Sequence, residues 1–240
     1  MNEAQEKILQ SYKLQRGQFY FGYATFQNPV LKFLRNVILY DEGNPEPLNV
    51  VIKCTTPPRL AMTLSLMGAT KKNLRSAIEL EFAGQNIGTV YVNGEVICRG
   101  SGKTLNITLI GDECIPHEHM ITLIKASKEF CLLTGDQSFS EGISMGKMVM
   151  YEGLRHKGIF FHEFLGISRL VGGQEFANLL QETYLPFDIQ HTEGDVRLIS
   201  QLKQPQTKEL YQRLNREIVD KHNIEKNLLL LIKAFYARWR

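Results

Sequence analysis

The sequence predicts an α/β protein with a Rossmann-like, mostly parallel sheet that has helices on both faces and is followed by C-terminal helices. Short apolar runs without alternation, such as LNVVIKC over 48–54, are typical of strands buried on both faces. Segments with apolar residues at helical spacing separate these runs along residues 18–153. This alternation favours parallel strands joined by crossover helices. After Gly153 the strand pattern ends and only helical patterns follow.

The first third of the chain predicts two strands, each followed by a helix. Residues 18–24 (QFYFGYA) are aromatic and β-prone. The next helix is predicted to begin with Asn28 as its N-cap and Pro29 at its first position, where the missing N–H costs nothing. A second strand over 48–54 precedes a helical stretch over 59–82.

The middle of the chain continues the same alternation. Asn93 and Gly94 lie between two β-branched runs, which predicts a hairpin with a type I′ turn. Further strands are predicted over 104–111, 129–135 and 147–153, with helices between them. Since no linker separates two domains, we expect a Rossmann-like domain over residues 1–200 and a C-terminal helical extension over 201–240 that packs on it.

The composition excludes several classes of protein. The chain has 240 residues and 43% hydrophobic content, which is typical of a globular protein and not of a disordered one. No apolar run approaches the roughly 18 residues that span a bilayer, and the polar N-terminus does not resemble a signal segment. We therefore expect a cytoplasmic protein with no transmembrane segment. Residues 201–240 hold nine Lys or Arg and four Asp or Glu, so the rest of the chain is not a basic surface and no nucleic-acid partner is expected.

The loop after the strand over 129–135 is the strongest candidate for a binding site. In an open parallel sheet, ligands bind at the carboxyl ends of strands, where loops lead into helix N-termini with free N–H groups. Gly135 allows close approach of the backbone, and Ser138 is a candidate N-cap and a hydroxyl donor to an anion. Ser138 and Glu141 also match a plain capping box, S-x-x-E, so the residues leave an anion site and a structural cap both open.

The stretch TGDQSFSEGISMGKMVMYE resembles the C-terminal-lobe signature of the GT-B superfamily of glycosyltransferases. The matching positions are Gly135, Ser138, Glu141 and Gly146. Their spacing is similar to that of the bacterial N-acetylglucosaminyltransferase of peptidoglycan synthesis, and GDQSF resembles the GEDSF of protein-arginine rhamnosyltransferases. The resemblance implies that Glu141 hydrogen-bonds the nucleotide ribose. It also implies that the turn over 135–139 binds the donor diphosphate, through Gly135, Gln137, Ser138 and Phe139.

Two further segments share this resemblance, which then covers roughly residues 17–200. FGYATFQNP resembles the opening of the lobe, which implies that residues 22–25 face the sugar diphosphate. The resemblance implies that Gly22, Tyr23 and Ala24 bind the nucleotide sugar. IPHEHMITLIKASKEFCLL resembles a loop beside the base that leads into a helix, which implies that Ile115 and His117 lie next to the base.

The resemblance leaves two classes of function open. One is a glycosyltransferase that binds a nucleotide-diphosphate sugar and transfers the sugar to an unknown acceptor, a protein or a glycan. Asp136, which matches the first acidic residue of the rhamnosyltransferase motif, is then the candidate catalytic carboxylate. Only about 17 residues precede the first strand, where the family has an acceptor lobe, so a second lobe or subunit is expected for catalysis. The other class is a non-catalytic nucleotide-binding or protein-interaction module of the same fold.

Other patterns point away from alternative chemistries. RGSGKT over 99–104 lacks the Walker spacing and precedes a strand, so it is not a P-loop, although Arg99 and Lys103 are candidates for secondary phosphate contacts. His117 and His119 have no third ligand at useful spacing, so no metal and no further cofactor is expected. After the strand over 147–153, four basic residues could hold diphosphate or line a solvated helix start: Arg155, His156, Lys157 and His162. The four cysteines form no CxxC pair and predict reduced thiols.

Overall fold

A computed structural model describes residues 1–54, 69–83, 87–111, 114–153, 158–186, 189 and 194–221. These residues form one eight-stranded sheet in the order β4-β3-β5-β2-β1-β6-β7-β8. The strands are β1 (Tyr20–Ala24), β2 (Leu48–Cys54), β3 (Val90–Val92), β4 (Glu95–Cys98), β5 (Leu105–Ile110), β6 (Phe130–Thr134), β7 (Met148–Gly153) and β8 (Tyr184–Pro186). Every pair is parallel except β3 with β4. The predicted fold class is confirmed.

Eight helices accompany this sheet within the described ranges. They are α1 (Glu3–Ser11), α2 (Gln27–Tyr40), α3 (Lys71–Phe82), α4 (His117–Ala126), α5 (Asp136–Ser144), α6 (Gly158–Gln181), α7 (Val196–Lys203) and α8 (Pro205–Lys221). The backbone of α6 is not helical at Gly173, where φ is 80° and ψ is −179°. None of the helices in this part of the chain is both long and apolar enough to cross a membrane.

Helices α2 and α5 pack on opposite faces of the sheet, and two glycines allow them to lie close. A side chain at Gly22 of β1 would meet the Ile52 side chain at 2.7 Å and the Phe33 ring of α2 at 3.4 Å. On the other face, a Cβ at Gly142 of α5 would lie 2.5 Å from the side chain of Leu133 in β6. Since Gly22 is in register with Leu132, Leu133 points to the face opposite Gly22. Both faces of the central strands are therefore covered.

The strand order places a topological switch point between β1 and β6. After β1 the chain moves to β2 on one side, and it later returns to form β6 on the other side of β1. The two loops that leave these strands run in opposite directions, and in open α/β sheets the carboxyl edge between two such loops is where a ligand-binding crevice forms. The loop predicted as a binding site follows β6 and lies at this crevice.

Several predicted elements need correction at their ends. The predicted N-cap Asn28 is wrong, because α2 begins at Gln27 with Phe26 as its N-cap, and Asn28 donates a hydrogen bond to the Ile189 carbonyl at 2.7 Å. The I′ turn is confirmed, since Asn93 and Gly94 have φ values of 51° and 84°. Strand β8 was not predicted, because three residues at a sheet edge give no measurable period.

The helical part of the chain follows the prediction within the described residues. Helix α3 confirms the second half of the helix expected over 59–82, whereas residues 55–68 lie outside the described part of the chain. Helix α8 packs against α5, α6 and α7, and the expected helix after Lys221 also lies outside the described residues. The division into 1–200 and 201–240 stays a prediction.

Asp41 anchors the amino edge of the sheet, opposite the crevice. Its buried carboxylate accepts hydrogen bonds from the Tyr20 hydroxyl at 2.9 Å, from Lys103 at 2.6 Å and from Lys128 at 2.9 Å. Burial alone would raise the pKa of Asp41, but the hydrogen bonds from the two lysines and Tyr20 outweigh it and lower the pKa. Lys103 therefore stabilises the fold at the edge away from the crevice, and its predicted role as a phosphate contact is wrong.

Candidate functional site

The crevice between β1 and β6 is bordered by the N-terminus of α5. All five residues of β6 are buried, and the chain turns from this strand into α5 at Gly135. Gly135 has φ of 82° and ψ of 143°, a backbone conformation that is almost confined to glycine. This conformation lets the helix begin immediately after the strand, at Asp136.

The early helix start changes the role of Ser138. Ser138 is the third residue of α5 and not its N-cap, and in the described chain no side chain caps this helix. The predicted N-cap at Ser138 and the capping box with Glu141 are therefore wrong. Of the two interpretations of these residues, the structural cap is excluded. The N-terminus of α5 keeps its partial positive charge at the crevice, where an anion would be stabilised.

We expect Gly135→Ala to lower the free energy of unfolding by about 1–3 kcal/mol, because alanine is strained at the backbone angles of Gly135. The measurement is urea unfolding followed by circular dichroism. Gly43→Ala is the matched control for glycine replacement at positive φ, since Gly43 (φ 89°) lies in a loop at the other edge of the sheet. A strained Gly135 variant should also weaken any anion binding at α5, whereas the Gly43 variant should not.

Glu141 has one occupied and one unoccupied carboxylate oxygen. Its Oε1 atom accepts a hydrogen bond from Gln137 Nε2 at 2.9 Å and lies 3.1 Å from His117 Nε2. Its Oε2 atom is buried and has no hydrogen-bond partner among the described residues. A buried acceptor without a donor is unfavourable by about 1–3 kcal/mol, so a donor from outside the described residues would stabilise this atom.

The contact between His117 and Glu141 joins two successive helices. His117 is the first residue of α4, after β5, and Glu141 lies on α5, after β6. Ile115 is half-buried two residues before His117 and packs against the core. The structure thus brings His117, Gln137 and Glu141 together, as the resemblance implied, although their ligand roles stay a prediction.

Asp136 is held by a buried tyrosine. The Tyr151 hydroxyl donates to Asp136 Oδ1 at 2.5 Å. Burial raises the pKa of Tyr151, and the hydrogen bond to Asp136 raises it further, so the phenol remains a donor. Asp136 itself is exposed at the first position of α5, where its charge is favourable at the helix N-terminus. The result is an oriented carboxylate that solvent can reach.

Three of the predicted binding residues are buried: Gly22, Ala24 and Phe139. Phe139 is 2% exposed and packs edge-on against Tyr151 and Phe164, with ring centroids 4.9 Å apart in each case. Gly22 and Ala24 are buried within β1. Tyr23 is half-buried beside them. Any contact of Phe139 or Ala24 with a ligand would therefore have to be made by the backbone.

Glu152, at the end of β7, is the residue that the sequence reasoning missed. It is 1% exposed, and its carboxyl oxygens accept hydrogen bonds from the backbone N–H of Thr25 (3.0 and 2.8 Å) and of Phe26 (2.8 Å). Burial raises the pKa of Glu152, although these amides and the hydroxyls of Thr134 and Thr25 act in the opposite direction. The signal in the sequence was an acidic residue at the end of the apolar run KMVMYEG.

Among the basic residues predicted after β7, His162 lies exposed on α6. The other three, Arg155, His156 and Lys157, lie outside the described residues.

The parallel sheet, its switch point and the glycine turn into α5 define a Rossmann-like α/β fold. A solved structure from work on EarP-mediated arginine glycosylation of translation elongation factor EF-P is similar over 98% of this chain and 67% of that chain, with a TM-score of 0.57 and 11% identity. The N-terminal domain of Candida albicans trehalose-6-phosphate phosphatase gives a TM-score of 0.39 at 11% identity, over 92% of this chain and 45% of that chain. No family model and no curated protein sequence matches the chain. At this identity, the likeness to the EarP structure concerns the fold alone.

Proposed function

We propose that this protein binds a nucleotide-diphosphate sugar at the crevice between β1 and β6 and transfers the sugar to an acceptor. The observation that carries the proposal is the buried, unpartnered Oε2 atom of Glu141 on a helix whose N-terminus no side chain caps in the described chain. A ligand that offers a hydroxyl group and a phosphate a short distance apart would satisfy both features. The nucleotide part of a sugar donor has this combination.

In the proposed complex, the diphosphate lies against the N-terminus of α5. The backbone of Gly135 and Gln137, together with the hydroxyl of Ser138, would hold its oxygens. Glu141 Oε2 would accept a hydrogen bond from a ribose hydroxyl, while Oε1 keeps its contacts with Gln137 and His117. The loop of Ile115 and His117 would lie beside the base, and the end of β1 beside the sugar.

The proposed catalysis is mainly electrostatic. Charge develops on the departing diphosphate as the glycosidic bond breaks, and the fixed N–H groups of a helix N-terminus stabilise that charge without reorganisation. Asp136, oriented by Tyr151, is the candidate catalytic carboxylate next to this position. No metal or other cofactor is part of the proposal. A protein is the first acceptor class to test, because the EarP structure concerns glycosylation of a protein, and a second lobe or subunit would contribute the remaining acceptor contacts.

Calorimetric titration with UDP, GDP and dTDP, and then with their sugars, tests donor binding. We expect Glu141→Ala and Ser138→Ala each to weaken the binding of the preferred nucleotide by about 10- to 100-fold, which corresponds to the loss of one or two good hydrogen bonds. Ser144→Ala is the control, because this exposed serine lies at the other end of the same helix.

Two results would contradict the donor site. One is the absence of binding at millimolar concentrations of all three nucleotides. The other is binding that both substitutions leave unchanged, which would locate the ligand elsewhere. Binding that depends on Glu141 but is never followed by sugar transfer would instead favour the non-catalytic module.

A further inference from the structure

Two helix N-termini lie at the switch point, and their backbone amides differ in their hydrogen-bond partners. Helix α5 follows β6 and has no side-chain cap among the described residues. Helix α2 follows β1, and the two amides before its first residue, those of Thr25 and Phe26, donate to Glu152. A side chain of the protein itself therefore occupies the amides before α2, whereas the N-cap of α5 is Gly135, which has no side chain that could cap its helix.

The carboxyl group that binds these two amides comes from a distant part of the chain. Glu152 is in register with Thr134 of β6, so its side chain reaches across β6 to the loop after β1. The hydroxyls of Thr25 and Thr134 also contact this carboxyl group. With two amides and two hydroxyls around it, and only 1% of the residue exposed, the carboxyl group has the environment of a bound anion.

The N-terminus of the first helix is a common anion site in doubly wound folds. Dinucleotides in such folds place their pyrophosphate at the helix that follows the first strand. In this chain a ligand could use that position only by displacing a buried carboxyl group from four hydrogen-bond donors. Glu152 binds the amides of Thr25 and Phe26, which come before the first residue of α2, and the side chain of the N-cap residue Phe26 makes no capping hydrogen bond.

We propose that Glu152 is a specificity-determining residue: it occupies the anion site at the N-terminus of α2 and confines ligand phosphate to the N-terminus of α5. The first part stands on the contacts of Glu152 alone, and the second part rests on the proposed function. It predicts that dinucleotides do not bind this chain in the first-helix position. It also predicts that removal of the carboxyl group leaves a cavity with donors that a small anion can fill.

Rescue of Glu152→Ala by formate tests the inference. Thermal unfolding is measured in sodium formate and in sodium chloride at equal ionic strength. We expect formate to raise the melting temperature of Glu152→Ala, in a concentration-dependent way, and to leave that of the wild type unchanged. Leu185→Ala is the matched control, since Leu185 is buried in β8 directly beside Glu152, and its cavity has no comparable set of donors.

The backbone amides give a second, local readout. In two-dimensional NMR spectra, formate and inorganic phosphate should shift the amides of Thr25 and Phe26 in Glu152→Ala and not in the wild type. Shifts of these two amides by phosphate in the wild type would overturn the inference, because the site would then be open. If Glu152→Ala does not fold in chloride, the same test is made by refolding. The refolding yield of Glu152→Ala is measured in formate and in chloride, and Leu185→Ala is measured in the same way as the control. An equal yield of Glu152→Ala in both salts would contradict the inference.

The test uses no nucleotide and no sugar, so its failure is distinct from failure of the proposed function. Absence of formate rescue together with nucleotide binding that depends on Glu141 would overturn the inference alone. Formate rescue with no nucleotide binding would overturn the proposed function and the confinement of phosphate to α5, while it would support the role of Glu152 at α2.

Discussion

Replacing Asp41 by alanine is expected to lower the free energy of unfolding by about 3 kcal/mol at pH 7, because it leaves Lys103, Lys128 and the Tyr20 hydroxyl without their buried acceptor. The carboxylate ties the start of β1 and the end of α2 to the segments that precede β5 and β6. Each lysine is about a quarter exposed, with 25% for Lys103 and 26% for Lys128, so water can solvate them partly in the variant. Because of this partial exposure, the expected loss in the free energy of unfolding lies at the lower end of the range of about 3–5 kcal/mol for breaking a buried ion pair.

The Asp41 contribution should depend on pH in a defined direction. Because the pKa of Asp41 is lowered in the folded state, its contribution is present above the ordinary aspartate pKa of about 3.9 and is lost as the pH falls through the folded-state pKa. Urea unfolding of the wild type and of Asp41→Ala at pH 7 and at decreasing pH measures this. Glu42→Ala, at the exposed neighbouring position, should change stability by less than about 0.5 kcal/mol. A difference between wild type and Asp41→Ala that stays constant into strong acid would contradict the prediction.

Replacing Glu152 by alanine is expected to lower the free energy of unfolding by about 3–5 kcal/mol in chloride. The substitution leaves the amides of Thr25 and Phe26 buried without an acceptor, at about 1–3 kcal/mol for each, and it adds a cavity next to β6. The energy of burying the carboxyl group, which raises its pKa, offsets part of this loss. Guanidinium unfolding monitored by circular dichroism is the measurement.

A matched comparison separates the buried role of Glu152 from the effect of removing a negative charge. Glu163→Ala removes an exposed carboxylate from α6 and should change the free energy of unfolding by less than about 0.5 kcal/mol. Glu152→Gln preserves the volume but turns an amide N–H₂ group toward donors, so we expect it to lose more than half of the stability that Glu152→Ala loses. A Glu152→Ala variant as stable as Glu163→Ala would mean that the two amides find other partners.

The order of elements could be predicted because each signal is local. Three such signals extend over only a few residues each: the apolar run of β2, the turn residues Asn93 and Gly94, and the glycine after β6. Strand β8 could not be predicted, since its three residues form a strand only by pairing with β7. Local propensity does not carry that information.

The helix starts show where sequence reasoning ends. Asn28 has the residue type of an N-cap, yet Phe26 is the N-cap of α2, and its amide donates to Glu152, 126 positions further along the chain. Ser138 and Glu141 have the spacing of a capping box, yet Gly135 starts the helix before either residue. In both cases tertiary contacts or backbone angles override a short motif. The turn from β6 into α5 was predictable, whereas the hydrogen-bond partners of the polar atoms there depend on packing across the sheet.

The resemblance predicted some features of the crevice, whereas others are evident only from the structure. Resemblance suggested that His117 and Glu141 belong to one site, and the structure brings their side chains to 3.1 Å. The resemblance did not predict that Glu141 Oε1 accepts a hydrogen bond from Gln137 while Oε2 has no donor among the described residues. That detail follows from how α4 and α5 pack at the carboxyl edge.

The most direct test of the central claim is a residue-resolved NMR titration of the ¹⁵N-labelled protein with the nucleoside diphosphate that binds most tightly among UDP, GDP and dTDP. We expect the largest amide shifts at Gln137 and Ser138, and almost no shift of the amides of Thr25 and Phe26. Absence of shifts at millimolar nucleotide, or shifts concentrated at Thr25 and Phe26 while Gln137 and Ser138 stay in place, would contradict the claim.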